Sequence, residues 1–425
     1  MKIHMEMHQP KTGIQDSQPQ NAPNELQGER TVSIIGAGVM GRGIAAACLR
    51  AGISVRISDL SFAAAKEAVD QIVTDCDSRA RQYPRLVDPT TRPLISLATE
   101  DVEVADADLI IEAVPEDFAL KTAILARIEP HLQSGSIMAS NSSSLSITRL
   151  SAALQAPGQF CGMHFCHPVN ERPLVEVVHT HATTNHTIRR AAAFATSLRL
   201  APILIRDSPG FLLNRLLLPY MNEAVELLLD GAAVEFLDEV ALDFGMPVGP
   251  FALYDEFGID VALAVGRTLY QAYPNRIVPS ELIIRMYKSG RLGRKCGQGF
   301  YSDPWARSDR QLSPEVRLLV ADRWRGGEPP APDTVRHRLI LPMLLEATRA
   351  IEEQLVDDPA IIDNLLRDGL GMTQRYPGLF AWARSVGSQR ILQWLEPLEH
   401  LGERFKPTET ILSGFGDTKK HRTAV

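Results

Sequence analysis

From Thr31 onward, short apolar runs alternate with amphipathic stretches. Thr31–Ile35 is apolar, a glycine turn follows, and Met40–Arg50 places small and apolar residues at helical spacing until Gly52 stops it. Ser54–Ser58 alternates as a strand and ends on Asp59. The same pattern predicts strands at Leu109–Ala113, Ile137–Ala139, Phe160–His164, Leu174–Val178 and Pro202–Arg206, and a helix over Leu120–His131. Strand and helix in alternation predict a parallel sheet with helices on both faces. After Ser208 the texture changes to long helical periodicity.

The helical part repeats itself. Arg215-Leu-Leu-Leu-Pro219 with Glu223-Ala224 recurs as Arg338-Leu-Ile-Leu-Pro342 with Glu346-Ala347. An Asp follows in each copy (Asp238, Asp363), then Gly-Met (Gly245-Met246, Gly371-Met372). A duplicated helical domain is therefore expected. The boundaries expected are a polar leader over 1–30, a dinucleotide-binding domain over 31–207, helical domains over 208–306 and 334–414, a linker over 307–333 and a tail over 415–425.

Composition narrows the class. The chain has 425 residues, 45% hydrophobic and 22% charged, which is the profile of a globular protein of two or three domains. A net charge of −7 argues against nucleic acid or an anionic membrane as the main partner. The most leucine-rich stretch, Phe211–Leu229, is broken by polar and charged residues and cannot span a bilayer. Five cysteines without a CxxC pair fit a reducing cytosol, and a cytoplasmic location is expected.

Four motifs could carry chemistry. Gly36-Ala37-Gly38-Val39-Met40-Gly41 follows a predicted strand and opens a predicted helix, the context in which GxGxxG cradles a pyrophosphate. Asp59 is placed to bind the adenosine ribose, and a carboxylate there repels a 2′-phosphate, favouring NAD over NADP. His164 and Glu176 form the second candidate: a charged residue in an apolar strand needs a partner, and a carboxylate-oriented imidazole makes a general base near neutral pH. A structural His–Glu hydrogen bond is the other reading. Ser140-Asn-Ser-Ser-Ser144 could cap a helix near Leu145 or present a hydroxyl to substrate. Ser208–Arg215 lies at the domain junction and places Asn214 on an apolar helix where its amide needs partners, with a plain helix-start role for Ser208–Gly210 as the other reading. The second copy has His337 at the position of Asn214, implying that it lost a site function.

Two further signals are weaker. The histidines and cysteines from His164 to His186 match no tetrahedral zinc spacing, so no metal is expected. The run Lys288, Arg291, Arg294, Lys295 reads as a solvated face, with a phosphate contact left open.

Taken in order, GAGVMGRGIA, EAVPED, SNSSSL, CGMHF, PLVEVV, SPGFLLNRLLLPYMNEA, GMPVGPF and GRKCGQGFY resemble the 3-hydroxyacyl-CoA dehydrogenases, over about Thr31 to Phe405. The resemblance is closest to the dehydrogenase half of bacterial multifunctional fatty-oxidation enzymes, and does not extend to their enoyl-CoA hydratase half. It implies a Rossmann-type α/β NAD-binding domain followed by two duplicated all-α C-terminal domains. It implies NAD as cofactor and an acyl thioester, on CoA or an acyl carrier protein, as substrate.

By the same resemblance His164 is the general base, Glu176 orients it, and Ser143 and Asn214 hold the reacting oxygen. Glu116, Lys121 and Lys295 are implied near the cofactor or active site, together with Ser143. A monomer is implied by packing of the two helical copies within one chain, with a homodimer as the alternative. This sequence departs from the family pattern at His167, where relatives carry an Asn that helps hold thioester and nicotinamide. It departs again in the helix after Asp59, where Asp75, Asp77, Arg79, Arg81 and Gln82 give no match to a CoA-contacting lysine. A dehydrogenase of a free 3-hydroxy acid such as gulonate and a non-catalytic NAD-binding protein are the rival readings.

Overall fold

The computed structural model describes residues 31–82, 94–170, 172–306, 310–373 and 378–415. The leader and the last ten residues, on which the leader and tail expectations mostly fall, lie outside them. The strands are β1 (Thr31–Ile35), β2 (Ser54–Ser58), β3 (Ile95–Leu97), β4 (Leu109–Glu112), β5 (Ile137–Ser140), β6 (Phe160–Phe165), β7 (Leu174–His179) and β8 (Ala201–Arg206). They form one sheet in the order β3-β2-β1-β4-β5-β6-β7-β8. The order reverses beside β1, so β1 and β4 flank the switch point where a doubly wound sheet opens a crevice.

One pairing departs from the parallel expectation: β6 and β7 run antiparallel. Cys166–Pro173 is too short for a helical crossover, so the chain can only turn back. Helices α1 (Val39–Arg50), α2 (Phe62–Gln82), α3 (Asp101–Ala105), α4 (Phe118–Ile128), α5 (Ile147–Ser151) and α6 (Asn185–Ser197) accompany the sheet. Val32, Ile34, Val55 and Ile57 pack on α1, α2 and α6 through Ile44, Ala45, Ala68, Ile72, Ala191 and Phe194. The other face, including Ile110, Met138 and Val178, packs on α4 and α5 and continues into the helical half. Strand β3 had no counterpart in the sequence reading, being three residues at a sheet edge.

The helical half comprises α7 (Leu213–Leu229), α8 (Val234–Phe244), α9 (Pro250–Phe257), α10 (Ile259–Ala272), α11 (Glu281–Lys288), α12 (Pro314–Ala321), α13 (Pro332–Glu352), α14 (Pro359–Asn364), α15 (Leu379–Val386), α16 (Ser388–Leu395) and α17 (Glu409–Leu412). The segment expected as a plain linker carries α12. Phe415, expected in the tail, is buried and meets Phe380 edge-on.

The Arg…Pro and Glu-Ala parts of the repeat fall on α7 and α13, which pack on each other more extensively than any other two elements. Their buried charges cross-pair. Arg215 binds Glu346 at 3.0 Å and Glu353 at 2.8 Å, while Arg338 binds Glu223 and Asp230, both at 2.7 Å. Each residue of one set lies 123 positions from its counterpart in the other, so the two copies meet as the halves of an isologous dimer would. Burial alone would raise the Glu346 carboxyl, but Arg215, Arg349 and Arg276 outweigh it and hold it below its ordinary value.

Candidate active site

The crevice begins at the glycine turn. Gly36 adopts φ +111°, and a side-chain Cβ there would lie 2.6 Å from the Ala113 carbonyl oxygen. At Gly41 a Cβ would collide with the carbonyl of Gly36, so helix and turn close only on glycine. Gly38 differs: nothing lies within 4 Å of its hypothetical Cβ, and it is the N-cap of α1 with no side-chain cap. The helix start is thus open, with Gly38 and Val39 exposed, Met40 half-buried and Ala37 buried. An uncapped helix N-terminus behind a bare backbone is the cradle a pyrophosphate requires, and the turn fits a dinucleotide. Asp59, just past β2, accepts from Ala37 N at 2.8 Å and Ser61 N at 3.0 Å, which fixes its carboxylate beside that turn.

The antiparallel turn-back places His164 directly opposite Glu176 in register. His164 Nδ1 and Glu176 Oε2 are 2.6 Å apart, with the residues 7% and 0% exposed. Oε1 of Glu176 accepts from the backbone N–H groups of Leu212 and Leu213, both at 2.9 Å. Both oxygens of Glu176 are therefore engaged, one by His164 and the other by the start of α7. Phe211, at φ +55°, turns the chain into α7 and packs its ring 5.6 Å from the imidazole. Asn214, next on α7 and half-buried, donates from Nδ2 to the Ser143 carbonyl at 3.0 Å, linking the two halves at the site.

The serine loop is held by Glu116. Its Oε1 accepts from Ser142 Oγ at 2.6 Å, Ser143 N at 2.9 Å and Ser144 N at 2.8 Å. Burial pushes the Glu116 carboxyl up, but Lys121 and the hydrogen bonds of this loop outweigh it and leave it below the ordinary range. The N-cap of α5 is Ser146, whose Oγ accepts from Arg149 N, so the serines ahead of it wrap Glu116 instead.

Lys121 turns inward. At 1% exposure it donates to Glu112 at 2.7 Å and the Val114 carbonyl at 3.1 Å, with Glu116 3.5 Å away. Glu112, buried at the end of β4, also accepts from Ser140 Oγ at 2.6 Å. Lys295 lies on the helical half, paired with Asp260 at 2.5 Å. His167 is exposed, three residues past His164.

The structure thus brings together His164, Glu176, Asn214, Ser143 and Glu116, and puts Gly36–Gly41 and Asp59 at the switch point. The basic run is largely neutralised: Arg291 pairs with Glu315, Arg294 with Glu256 and Lys295 with Asp260. Sequence reasoning passed over Glu112, although a charge inside an apolar strand is the signal that singled out Glu176. It also passed over Asn141, whose Oδ1 accepts from Phe165 N at 3.0 Å. Among the described residues no group of three or more His, Cys, Asp or Glu is gathered to hold a metal, and no helix is long and apolar enough to cross a membrane.

Comparison with known proteins accords with this geometry. Residues 31–208 match the model of the 3-hydroxyacyl-CoA dehydrogenase NAD-binding domain, and residues 210–303 match that of the 3-hydroxyacyl-CoA dehydrogenase C-terminal domain. The chain is 32% identical over 398 residues to the fatty acid oxidation complex subunit alpha of Shewanella frigidimarina, covering 91% of this chain. It spans 55% of that curated relative's length. The crystal structure of 3-hydroxybutyryl-CoA dehydrogenase from Escherichia coli superposes with a TM-score of 0.75 at 26% identity, over 91% of this chain and 98% of that one. The (S)-3-hydroxybutyryl-CoA dehydrogenase of Ralstonia eutropha is 37% identical with a TM-score of 0.59, over 64% of this chain and 98% of its own.

Proposed function

The chain belongs to the 3-hydroxyacyl-CoA dehydrogenase family, and on that premise we propose that it interconverts 3-hydroxyacyl and 3-oxoacyl thioesters with NAD. The observation that carries this reading is the buried His164–Glu176 pair, tied to α7 immediately before Asn214.

Glu176 receives the Nδ1 proton of His164, so Nε2 is the basic nitrogen and is left for the substrate. In the oxidising direction Nε2 takes the proton of the 3-hydroxyl group, and the Glu176 carboxylate stabilises the resulting imidazolium. The nicotinamide supplies the hydride acceptor for C3, or the hydride donor in reduction. Asn214 has two amide hydrogens; with one on the Ser143 carbonyl, the other is available to the reacting oxygen. The Ser143 hydroxyl is the second donor to that oxygen. Glu116 positions Ser143 through its backbone N–H. Gly36–Gly41 hold the pyrophosphate, and Asp59 the adenosine ribose. Lys121, buried against Glu112 and Glu116, supports the cofactor side from behind. The family resemblance assigns Lys295 and His167 to the cofactor side as well.

The acyl group rides on CoA or on an acyl carrier protein. The side chains at 75–82, the stretch of the family's CoA contact, lie outside the described residues. The reciprocal pairing of α7 with α13 supports a chain that needs no second copy, a monomer in solution. Cys48, Cys161, Cys166 and Cys296 are unpaired, which supports a reducing cytoplasmic setting.

The test is the rate of NADH oxidation with acetoacetyl groups on CoA and on a carrier protein. Turnover with either supports the reaction. NADH binding without turnover on either refutes it and favours a free 3-hydroxy acid or a non-catalytic role, with His167→Asn the first variant to make.

A further inference from the structure

The turn joining the two strands of the His–Glu pair is gripped from both sides. After β6 the chain passes through Cys166–Asn170, and Arg172 leads into β7. On the sheet side, Val169 lies against α1 so closely that a Cβ at Gly43 would come within 3.2 Å of it. On the other side Arg172, 8% exposed, crosses to the helical half. Its guanidinium pairs with Glu256 near the end of α9 and lies over the Phe257 ring, 5.1 Å from the centroid. Its backbone N–H returns to the Pro168 carbonyl at 3.0 Å and closes the turn. Glu256 is shared, since its second oxygen accepts from Arg294 at 3.2 Å.

We propose that Arg172 is a positioning residue, which holds the Cys166–Asn170 turn against the helical half and so sets the wall of the cleft that carries His167. A largely buried Arg–carboxylate pair is stronger than a neutral hydrogen bond, and stacking on an aromatic ring orients the guanidinium. Surface turns without such ties open at low free energy. His164 is held separately, by Glu176 and by its strand, so loss of Arg172 releases the turn and leaves the acid–base pair in place.

The proposal rests on the dehydrogenase reading for one of its two readouts. Arg172→Met removes the charge at similar length, and Glu256 keeps Arg294, so no buried carboxylate is orphaned and the variant is expected to fold. In hydrogen exchange of the free protein, peptides covering Phe165–Asn170 should exchange about 10-fold faster while those of β1 and α7 do not change. In thioester reduction KM should rise about 10-fold with kcat within about threefold and the same pH profile, because positioning is lost and the base is not. Arg172→Lys should restore KM only in part, since an ammonium cannot bridge and stack as a guanidinium does.

A purely structural role would lower the melting temperature and the active fraction but leave KM unmoved. Unchanged exchange, or faster exchange with an unchanged KM, overturns the proposal. If the wild type has no turnover, the proposed reaction fails separately, and the dissociation constant for acetoacetyl-CoA, measured by calorimetry, replaces KM. Should Arg172→Met fail to fold, Glu256→Gln, which preserves shape, is judged by the same criteria.

Discussion

Replacing Glu176 by Gln changes one atom and should nearly abolish turnover. Oε1 of the glutamine can still accept from Leu212 and Leu213, so the start of α7 stays in place. Nε2 then faces His164 Nδ1 across the former 2.6 Å contact, and it can only donate. The imidazole must answer by carrying its proton on Nε2, which removes the base from the atom that meets the substrate. Losing the orienting carboxylate of a comparable His–carboxylate pair lowers kcat by about 10⁴, and a fall of about 10³–10⁴ is expected here. The stability loss should be about 1–3 kcal/mol, since one charge-assisted bond weakens while the two backbone donors keep their acceptor.

Three measurements separate these effects: kcat for reduction of an acetoacetyl thioester, the NADH dissociation constant by fluorescence, and the ¹⁵N shifts of the His164 ring. Turnover should collapse, NADH affinity should stay within about threefold, and the ring proton should move from Nδ1 to Nε2. A kcat within tenfold of wild type, with the tautomer shifted, would refute the assignment of His164 as the base.

Other expectations follow from the same contacts. Asn214→Ala should lower kcat by about 10²–10³, because it removes a donor to the reacting oxygen, with NADH affinity preserved; steady-state kinetics with a binding titration checks this. Asp59→Ala frees Ala37 N and Ser61 N and removes the charge that repels a 2′-phosphate. Its NADH affinity should fall about 10-fold while NADPH becomes a usable cofactor, as read from the two kcat/KM values. The depressed Glu346 carboxyl stabilises the fold fully above its ordinary value of 4.5 and loses that contribution as pH falls through the lower folded value. Glu346→Gln should therefore show a shallower acid loss of stability than wild type in denaturant titrations below that pH, and equal slopes would contradict the ion-pair account.

Several parts of this arrangement were legible before any coordinates. Hydrophobic alternation located seven of the eight strands, and the glycine spacing located the turn, because only glycine fits at 36 against Ala113 and at 41 against the Gly36 carbonyl. The repeat was legible because its Arg and Glu positions recur at an offset of 123 and its Asp at 125, although nothing local says that Arg215 meets Glu346 rather than a neighbour in its own copy. Glu176 announced itself as a charge in an apolar strand; its pairing with His164 depends on the antiparallel return of β7, a tertiary outcome. The inward turn of Lys121 and the cross-domain reach of Arg172 were invisible for the same reason. Long cationic side chains read as exposed in sequence, and only packing shows which of them find a buried carboxylate.

The central claim is that His164 is the acid–base group of an NAD-dependent 3-hydroxyacyl thioester dehydrogenase. The most direct test compares the initial rate of NADH oxidation by acetoacetyl-CoA for the wild type and His164→Ala, with NADH affinity measured on both. The account predicts robust wild-type turnover, a loss of about 10³ or more in the variant, and equal NADH affinity. Equal rates in the two proteins, or NADH binding with no reduction of the thioester by the wild type, would contradict it.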